Sequence, residues 1–138
     1  MPDCEPTHIF VYGTLMSAAT GSLGRDMRLR LRREARSAGS ATVQGVLYDL
    51  GTYPGLVRSA DPSDRVHGEV LALIDPAATL PWLDDYEGVG RGQASAGEYL
   101  RVVEHARLAS GASLEIWLYL LQRPLRGLPR IPGGRWTG

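Results

Sequence analysis

The sequence predicts an α+β domain of about six short strands and one or two short helices, in a sheet that curls into a small barrel and closes its own edges. Three observations carry this. Short β-branched and aromatic runs recur at 8–12, 40–50, 56–59, 66–74, 98–108 and 114–121. Glycine supplies 17 and proline 9 of 138 residues, about 12% glycine against a usual ~7%, so turns are frequent and elements short. Helical signals are confined to two stretches, near 24–36 and 76–87.

Each element follows from local chemistry. His8-Ile9-Phe10-Val11-Tyr12 is a short buried strand that stops at Gly13, and the loop Gly13-Thr14-Leu15-Met16 follows it. From Gly24 to Arg36 leucine and arginine favour a helix, yet Arg28-Leu29-Arg30-Leu31-Arg32 alternates with period two, so a helix and an edge strand both fit. Ser40 to Leu50 reads as one long strand with Gly45 inside it, where a glycine marks a bulge or the close approach of another backbone. A turn at 51–55 leads into the strand Leu56 to Ser59, and Asp61-Pro62-Ser63-Asp64 turns the chain again. Val66 to Ile74 is the next strand. Asp75-Pro76 offers a cap followed by a first-turn proline, Pro81 competes as a second start, and either helix reaches Glu87. Within it Leu80, Leu83 and Tyr86 or Glu87 share a face, while Asp84 and Asp85 point elsewhere. A glycine-rich loop spans Gly88 to Gly97. Two strands, Glu98 to Leu108 and Leu114 to Leu121, then form a hairpin about Ala109-Ser110-Gly111-Ala112. The tail from about 123 is irregular and pinned by Trp136, and with no linker or repeat the whole of 1–138 is expected to form a single domain.

Composition excludes several classes of function. A single cysteine, Cys4, cannot make an internal disulfide, which fits a reducing, cytoplasmic setting. The longest strongly apolar run, Ile116 to Leu121, has six residues against the ~20 a bilayer-spanning helix needs, so no membrane association is expected. All 15 basic residues are arginine, which removes Schiff-base chemistry and lysine-dependent phosphate loops and suggests a GC-rich bacterial genome. Zero net charge argues against nucleic acid as a partner. Charge is nevertheless segregated: residues 25–36 hold six arginines and two acids, a balance of +4, and residues 61–104 hold three arginines and nine acids, a balance of −6. Two mutually facing solvated surfaces account for this, and an acidic partner for Arg25–Arg36 is the rival account. His8, His67 and His105 are too scattered for ligand spacing, so neither a metal nor an organic cofactor is expected. No serine lies in a G-x-S-x-G turn, and no phosphate-loop or dinucleotide motif follows a strand.

What remains is one loop and one acid. After Tyr12, the glycine of Gly13-Thr14-Leu15 lets backbone approach a ligand, and successive amides can face an oxygen or carboxylate. Glu87 ends the run Asp84-Asp85-Tyr86-Glu87, where like charges near a helix C-terminus either sit in solvent or raise a carboxyl pKa toward a useful range. Tyr99 and Arg101, two apart on one strand, share a face; structural pairing and substrate contact fit them equally, and Tyr119 likewise.

Taken in order, these features resemble a known family. Tyr12-Gly13-Thr14-Leu15, then Val43 to Gly51 with Tyr53-Pro54-Gly55-Leu56-Val57, then Val66-His67-Gly68-Glu69-Val70, then Leu83 to Gly88 and Tyr99-Leu100-Arg101, are similar to successive motifs of the γ-glutamylcyclotransferase-like family, including its AIG2-like branch. Trp136 resembles the tryptophan that often closes AIG2-like domains. The resemblance implies a small mixed β-barrel with short helices, a cavity lined by Tyr12, Gly13, Thr14 and Leu15, and Glu87 as general acid/base. It also implies release of 5-oxoproline from a small γ-glutamyl amine or amino acid. Such a reaction suits a chain without an evident protein nucleophile, because the substrate's own α-amine attacks its γ-carbonyl. Two alternatives stay open: a non-catalytic module that binds a carboxylate or peptide end on the same fold, and hydrolysis by water. The leaving amine and the oligomeric state are not encoded in these motifs.

Overall fold

The computed structural model describes residues 6–13, 25–51, 54–87, 99–122 and 125–136, with the side chain of Glu87 outside that set. Among the described residues, seven strands and two helices run in the order β1 (His8–Val11), α1 (Arg25–Glu34), β2 (Ala35–Gln44), β3 (Val46–Asp49), β4 (Pro54–Val57), β5 (Arg65–Leu73), α2 (Pro76–Glu87), β6 (Tyr99–Leu108) and β7 (Ser113–Leu121), followed by a 3₁₀ turn at Pro132–Gly134. Five strands close a barrel in the order β1-β5-β2-β6-β7, and β3 and β4 form a separate antiparallel pair. The barrel is mixed: every pairing is antiparallel except β1 with β7, which meet in parallel at Ile9 and Trp117.

The expected strand from Ser40 to Leu50 divides. Its first part is the end of β2, which begins earlier, at Ala35, and its second part is β3. Gly45 is the break, and a Cβ there would stand 2.7 Å from the Val57 carbonyl oxygen, so the close backbone approach expected of this glycine is what the fold uses. The chain leaves the barrel at this point and the β3–β4 pair lies against it. The ambiguous arginine-rich stretch is the helix α1. Its buried residues Arg28 and Leu31 are three apart while Leu29 is 42% exposed, so a helical period prevails over the alternation. Asp26 in its first turn and Arg32 and Arg33 in its last suit the helix dipole. Helix α2 starts at Pro76, with Asp75 accepting bonds from the Ala78 and Thr79 amides through its carbonyl, and Pro81 sits inside rather than at the start.

Strands β1 and β7 read as nearly continuous apolar runs because both of their faces are buried. Phe10, Tyr12, Ala41, Val43, Val66, Val70, Ala106, Ile116, Leu118 and Leu120 fill the barrel, drawing on all five of its strands. The alternate residues Ile9, Val11, Leu71, Leu73, Tyr119 and Leu121 pack outward against Leu31, Leu80 and Leu83 of the two helices. Glu34 joins those helices: its carboxylate accepts from the Thr79 hydroxyl at 2.6 Å and the Trp82 indole N–H at 3.0 Å. Burial works against ionisation of Glu34, but bonds from Thr79, Trp82 and Arg30 outweigh it and hold the carboxyl below its ordinary pKa. The tail docks on β3 through Ile131 N–H to Leu47 C=O at 2.8 Å, and Trp136 packs against the barrel core, as expected of it.

Candidate functional site

The N-terminal end of β6 and the C-terminal ends of β1 and β7 lie together, and β4 crosses beside them. Pairing of β4 with β3 satisfies one edge of this four-residue strand and leaves the other open. Two tyrosine hydroxyls close it. Tyr99 donates to the Pro54 carbonyl at 2.7 Å, and Tyr12 accepts from the Leu56 amide at 3.3 Å. Residues two apart on a strand turn their polar groups to the same edge, so the two hydroxyls cap a single line of backbone. Glycines make the approach possible: a Cβ on Gly13 would stand 2.9 Å from the Pro54 ring, and one on Gly55 would stand 2.7 Å from Leu121 Cδ2.

The Tyr12 hydroxyl also donates, at 2.7 Å, to the backbone carbonyl of Tyr119. The side chain of Tyr119 carries the connection onward, its hydroxyl donating to Asp84 Oδ1 at 2.7 Å. Arg101, directly across from Tyr119 in the β6–β7 ladder, grips the same carboxylate in a fork, Nε to Oδ1 at 2.7 Å and Nη2 to Oδ2 at 3.1 Å. Its guanidinium lies 4.2 Å above the Trp117 ring, and Trp117 in turn donates to the Pro6 carbonyl at 2.9 Å. The Asp84 and Arg101 side chains are 14% and 22% exposed, so solvent screens this pair less than a surface pair. A route of hydrogen bonds thus runs from the end of β1, through Tyr119, to the last turn of α2, three residues before Glu87.

Of the residues singled out from sequence, Tyr12 and Gly13 of the first loop, together with Tyr99, Arg101 and Tyr119, converge on this end of the barrel. Thr14 and Leu15 lie outside the described residues, as does the loop 88–97, and Glu87 is described only as the backbone end of α2. The hydroxyls of Tyr12, Tyr99 and Tyr119 are each engaged with a protein group. Asp84 is the residue the sequence reading missed. By sequence it is one of several repelling acids pointing elsewhere, whereas in the fold it faces β6 and β7 and is paired with Arg101 and Tyr119. The available signal was its spacing: Asp84 is one helical turn before Glu87, and an arginine two residues beyond Tyr99 on the same strand face calls for an acid nearby. Trp117 likewise reads in sequence only as part of an apolar run, and in the fold it carries the Arg101 guanidinium on its ring.

Among the described residues, no group of three or more His, Cys, Asp or Glu side chains is placed to hold a metal ion. Among the same residues, no helix is long and apolar enough to cross a membrane.

Comparison with known proteins places this geometry in context. The sequence profile of the family described as gamma-glutamyl cyclotransferase, AIG2-like, matches residues 9–138. A gamma-glutamylcyclotransferase family protein, ytfP, of Citrobacter rodentium is 34% identical over 129 residues, covering 93% of each chain. The solution structure of ytfP from Escherichia coli superposes with a TM-score of 0.61 at 34% identity, over 94% of this chain and 95% of that one. The crystal structure of a mouse AIG2-like protein superposes with a TM-score of 0.69 at 22% identity, over 96% of this chain and 95% of that one, a likeness of fold. With a profile match that runs from within β1 to Gly138, the chain belongs to the AIG2-like family of gamma-glutamyl cyclotransferases.

Proposed function

We propose that this protein is a γ-glutamyl cyclotransferase that releases 5-oxoproline from a γ-glutamyl amine or amino acid, with Glu87 as the general acid/base. The observation that carries the reading is the hydrogen-bonded route from Tyr12 through Tyr119 to Asp84. It ties the strand end that precedes Thr14-Leu15 to the helical turn that precedes Glu87, which supports a reading in which the two motifs act together. A site of this kind works only when its groups stay within a fraction of an ångström of a productive arrangement.

In the proposed reaction the substrate's α-amine attacks its own γ-carbonyl. A C–N bond forms to the α-nitrogen, a tetrahedral oxyanion develops, and the bond to the second amine breaks. The α-ammonium, with an ordinary pKa near ~8, first loses a proton, and the departing amine gains one. The attacking nitrogen sheds a second proton as the C–N bond forms and it becomes the lactam N–H; Glu87 takes that proton and delivers it to the leaving nitrogen, and the freed amine regains from solvent the equivalent of the proton lost before attack. Backbone amides of Gly13, Thr14 and Leu15 are the proposed oxyanion donors, a contribution of about 3 kcal/mol for each donor that is aimed well. Holding amine and carbonyl in a near-attack pose supplies ~7 kcal/mol or more without a protein nucleophile. Tyr12, Tyr99 and Tyr119 form the proposed wall of the substrate cavity, presenting ring faces while their hydroxyls hold the frame.

Mass spectrometry of 5-oxoproline released from a panel of γ-glutamyl amino acids and amines tests the proposal. Wild-type protein is expected to release it from at least one member, and Glu87→Gln to slow release by about 10²–10⁴-fold with substrate binding retained. Free glutamate in place of 5-oxoproline would show hydrolysis instead. Saturable binding of an acidic ligand with no turnover, in wild type and in the variant alike, would identify a binding module.

A further inference from the structure

A second concave site lies on the barrel wall, away from the Tyr12–Asp84 end. Strands β2 and β6 pair through only two positions, Ala41 with Leu108 and Thr42 with Arg107, and then part. Where they part, a cleft of about 350 Å³ opens, bordered by Gln44, Arg65 and Arg107 and by Arg58 and Ser59 just beyond β4. Three arginines line it against one carboxylate, Glu104. That carboxylate is already taken: Arg58 Nη2 meets it at 2.6 Å.

Among the described residues the other two guanidiniums have no such partner. Arg65 reaches back along the sheet and bonds neutral oxygens only, Nη2 to Thr42 Oγ1 at 2.9 Å and to the Thr42 carbonyl at 3.2 Å. Thr42 is the residue directly opposite Arg107, so the Arg65 head is drawn to the root of the Arg107 side chain. Cross-strand neighbours of this kind project from the same face. Among the described residues, neither Arg65 nor Arg107 has a carboxylate partner. Burial, and then the Arg107 charge, hold the Arg65 pKa below its ordinary value, which is what two unneutralised cations in one cleft produce. Placing like charges together in a half-buried hollow is unfavourable unless something anionic relieves it.

We propose that this cleft binds the phosphate group of a small molecule, seated between the Arg65 and Arg107 guanidiniums. A doubly charged tetrahedral oxyanion matches two converging forks better than a carboxylate does: it carries a charge for each arginine and has oxygens enough to accept from both. Ser113 on the rim adds a neutral hydroxyl for the remainder of the ligand, while Gln44 Nε2 is committed to the Ser59 carbonyl at 2.7 Å and the Ser59 hydroxyl to Asp64 at 2.6 Å. The site is independent of the cyclotransferase reading, since it shares no residue with the Tyr12–Asp84 network.

Isothermal titration of the full chain with inorganic phosphate and, separately, with glycerol 3-phosphate tests this and distinguishes a free ion from an ester. Saturable binding of either is expected, weakened about tenfold or more in Arg107→Gln and only partly restored in Arg107→Lys, which returns the charge without the fork. Arg107 is exposed, so its replacement leaves folding intact, and Arg126→Gln, at an exposed arginine outside the cleft, is expected to bind as wild type. Amide chemical shifts of Thr42, Arg65 and Ser113 should move on addition of either probe. The proposal is overturned if neither binds at about 10 mM, if Arg107→Gln binds as tightly as wild type, or if citrate binds in this cleft and both phosphates do not.

Discussion

Asp84 has three polar contacts from two strands and is itself on a helix, which makes it the most consequential single side chain near the candidate site. Asp84→Asn keeps the shape but leaves the Arg101 guanidinium without its counter-charge. Removing one partner of a largely buried pair costs about 3 kcal/mol, more than the ~1 kcal/mol expected for Tyr119→Phe, which deletes one bond and no charge. Urea unfolding of the two variants checks that ordering; equal midpoints would mean that the fork to Arg101 contributes nothing beyond a neutral hydrogen bond. If Asp84 also sets the position of Glu87, then Asp84→Asn should lower kcat for 5-oxoproline release more than it raises KM. At this scale the sequence was informative about residue types and poor about partners. A run of three acids in four residues identifies a place where charge matters, yet which acid faces an arginine depends on helix rotation against β6 and β7, and that is set by Leu80 and Leu83 finding the core.

The two helices behave as one element because Glu34 at the end of α1 accepts hydrogen bonds from Thr79 and Trp82 of α2. Thr79 is 0% exposed, so Glu34→Ala strands a buried hydroxyl and is expected to cost about 1–3 kcal/mol. The carboxyl is held below its ordinary pKa of 4.5, so the unfolded chain takes up its proton first as pH falls. Its contribution is therefore complete above pH 4.5 and is lost as pH drops through the lower folded value. Chemical denaturation at a series of pH values should show wild type losing more stability below pH 4.5 than Glu34→Gln does; parallel curves would dissociate Glu34 from the acid response. Strands with matched chemistry on both faces, β1 and β7, were legible with nearly correct limits. The arginine-rich helix was not, because leucine and arginine at successive positions satisfy a period of two and a period of 3.6 alike until a partner selects one face. Leu31 under β1 and β5, with Leu29 left outside, is that selection.

Closure governs the whole molecule. Parallel pairing of β1 with β7 completes the barrel, and the tail then returns across β3 to place Ile131 and Trp136 on the core. Trp136→Ala should destabilise by about 2 kcal/mol, short of a fully buried tryptophan because this ring is half-exposed. An unchanged melting temperature would show that the tail lies on the barrel without holding it. The α+β class, the turn-rich barrel, the strand content and the family motifs were all determined by the order of residues alone, since hydrophobic period, turn chemistry and motif spacing are local properties that survive without coordinates. The tertiary structure decided where the long strand breaks at Gly45, which helical face packs, that Tyr12 and Tyr99 close the open edge of β4, and that Arg65 and Arg107 border one cleft beside Thr42. Each of these depends on which distant segments come to lie side by side. The contact 44 positions apart follows from β4 docking on the barrel and the one 107 apart from barrel closure, and no local pattern encodes either.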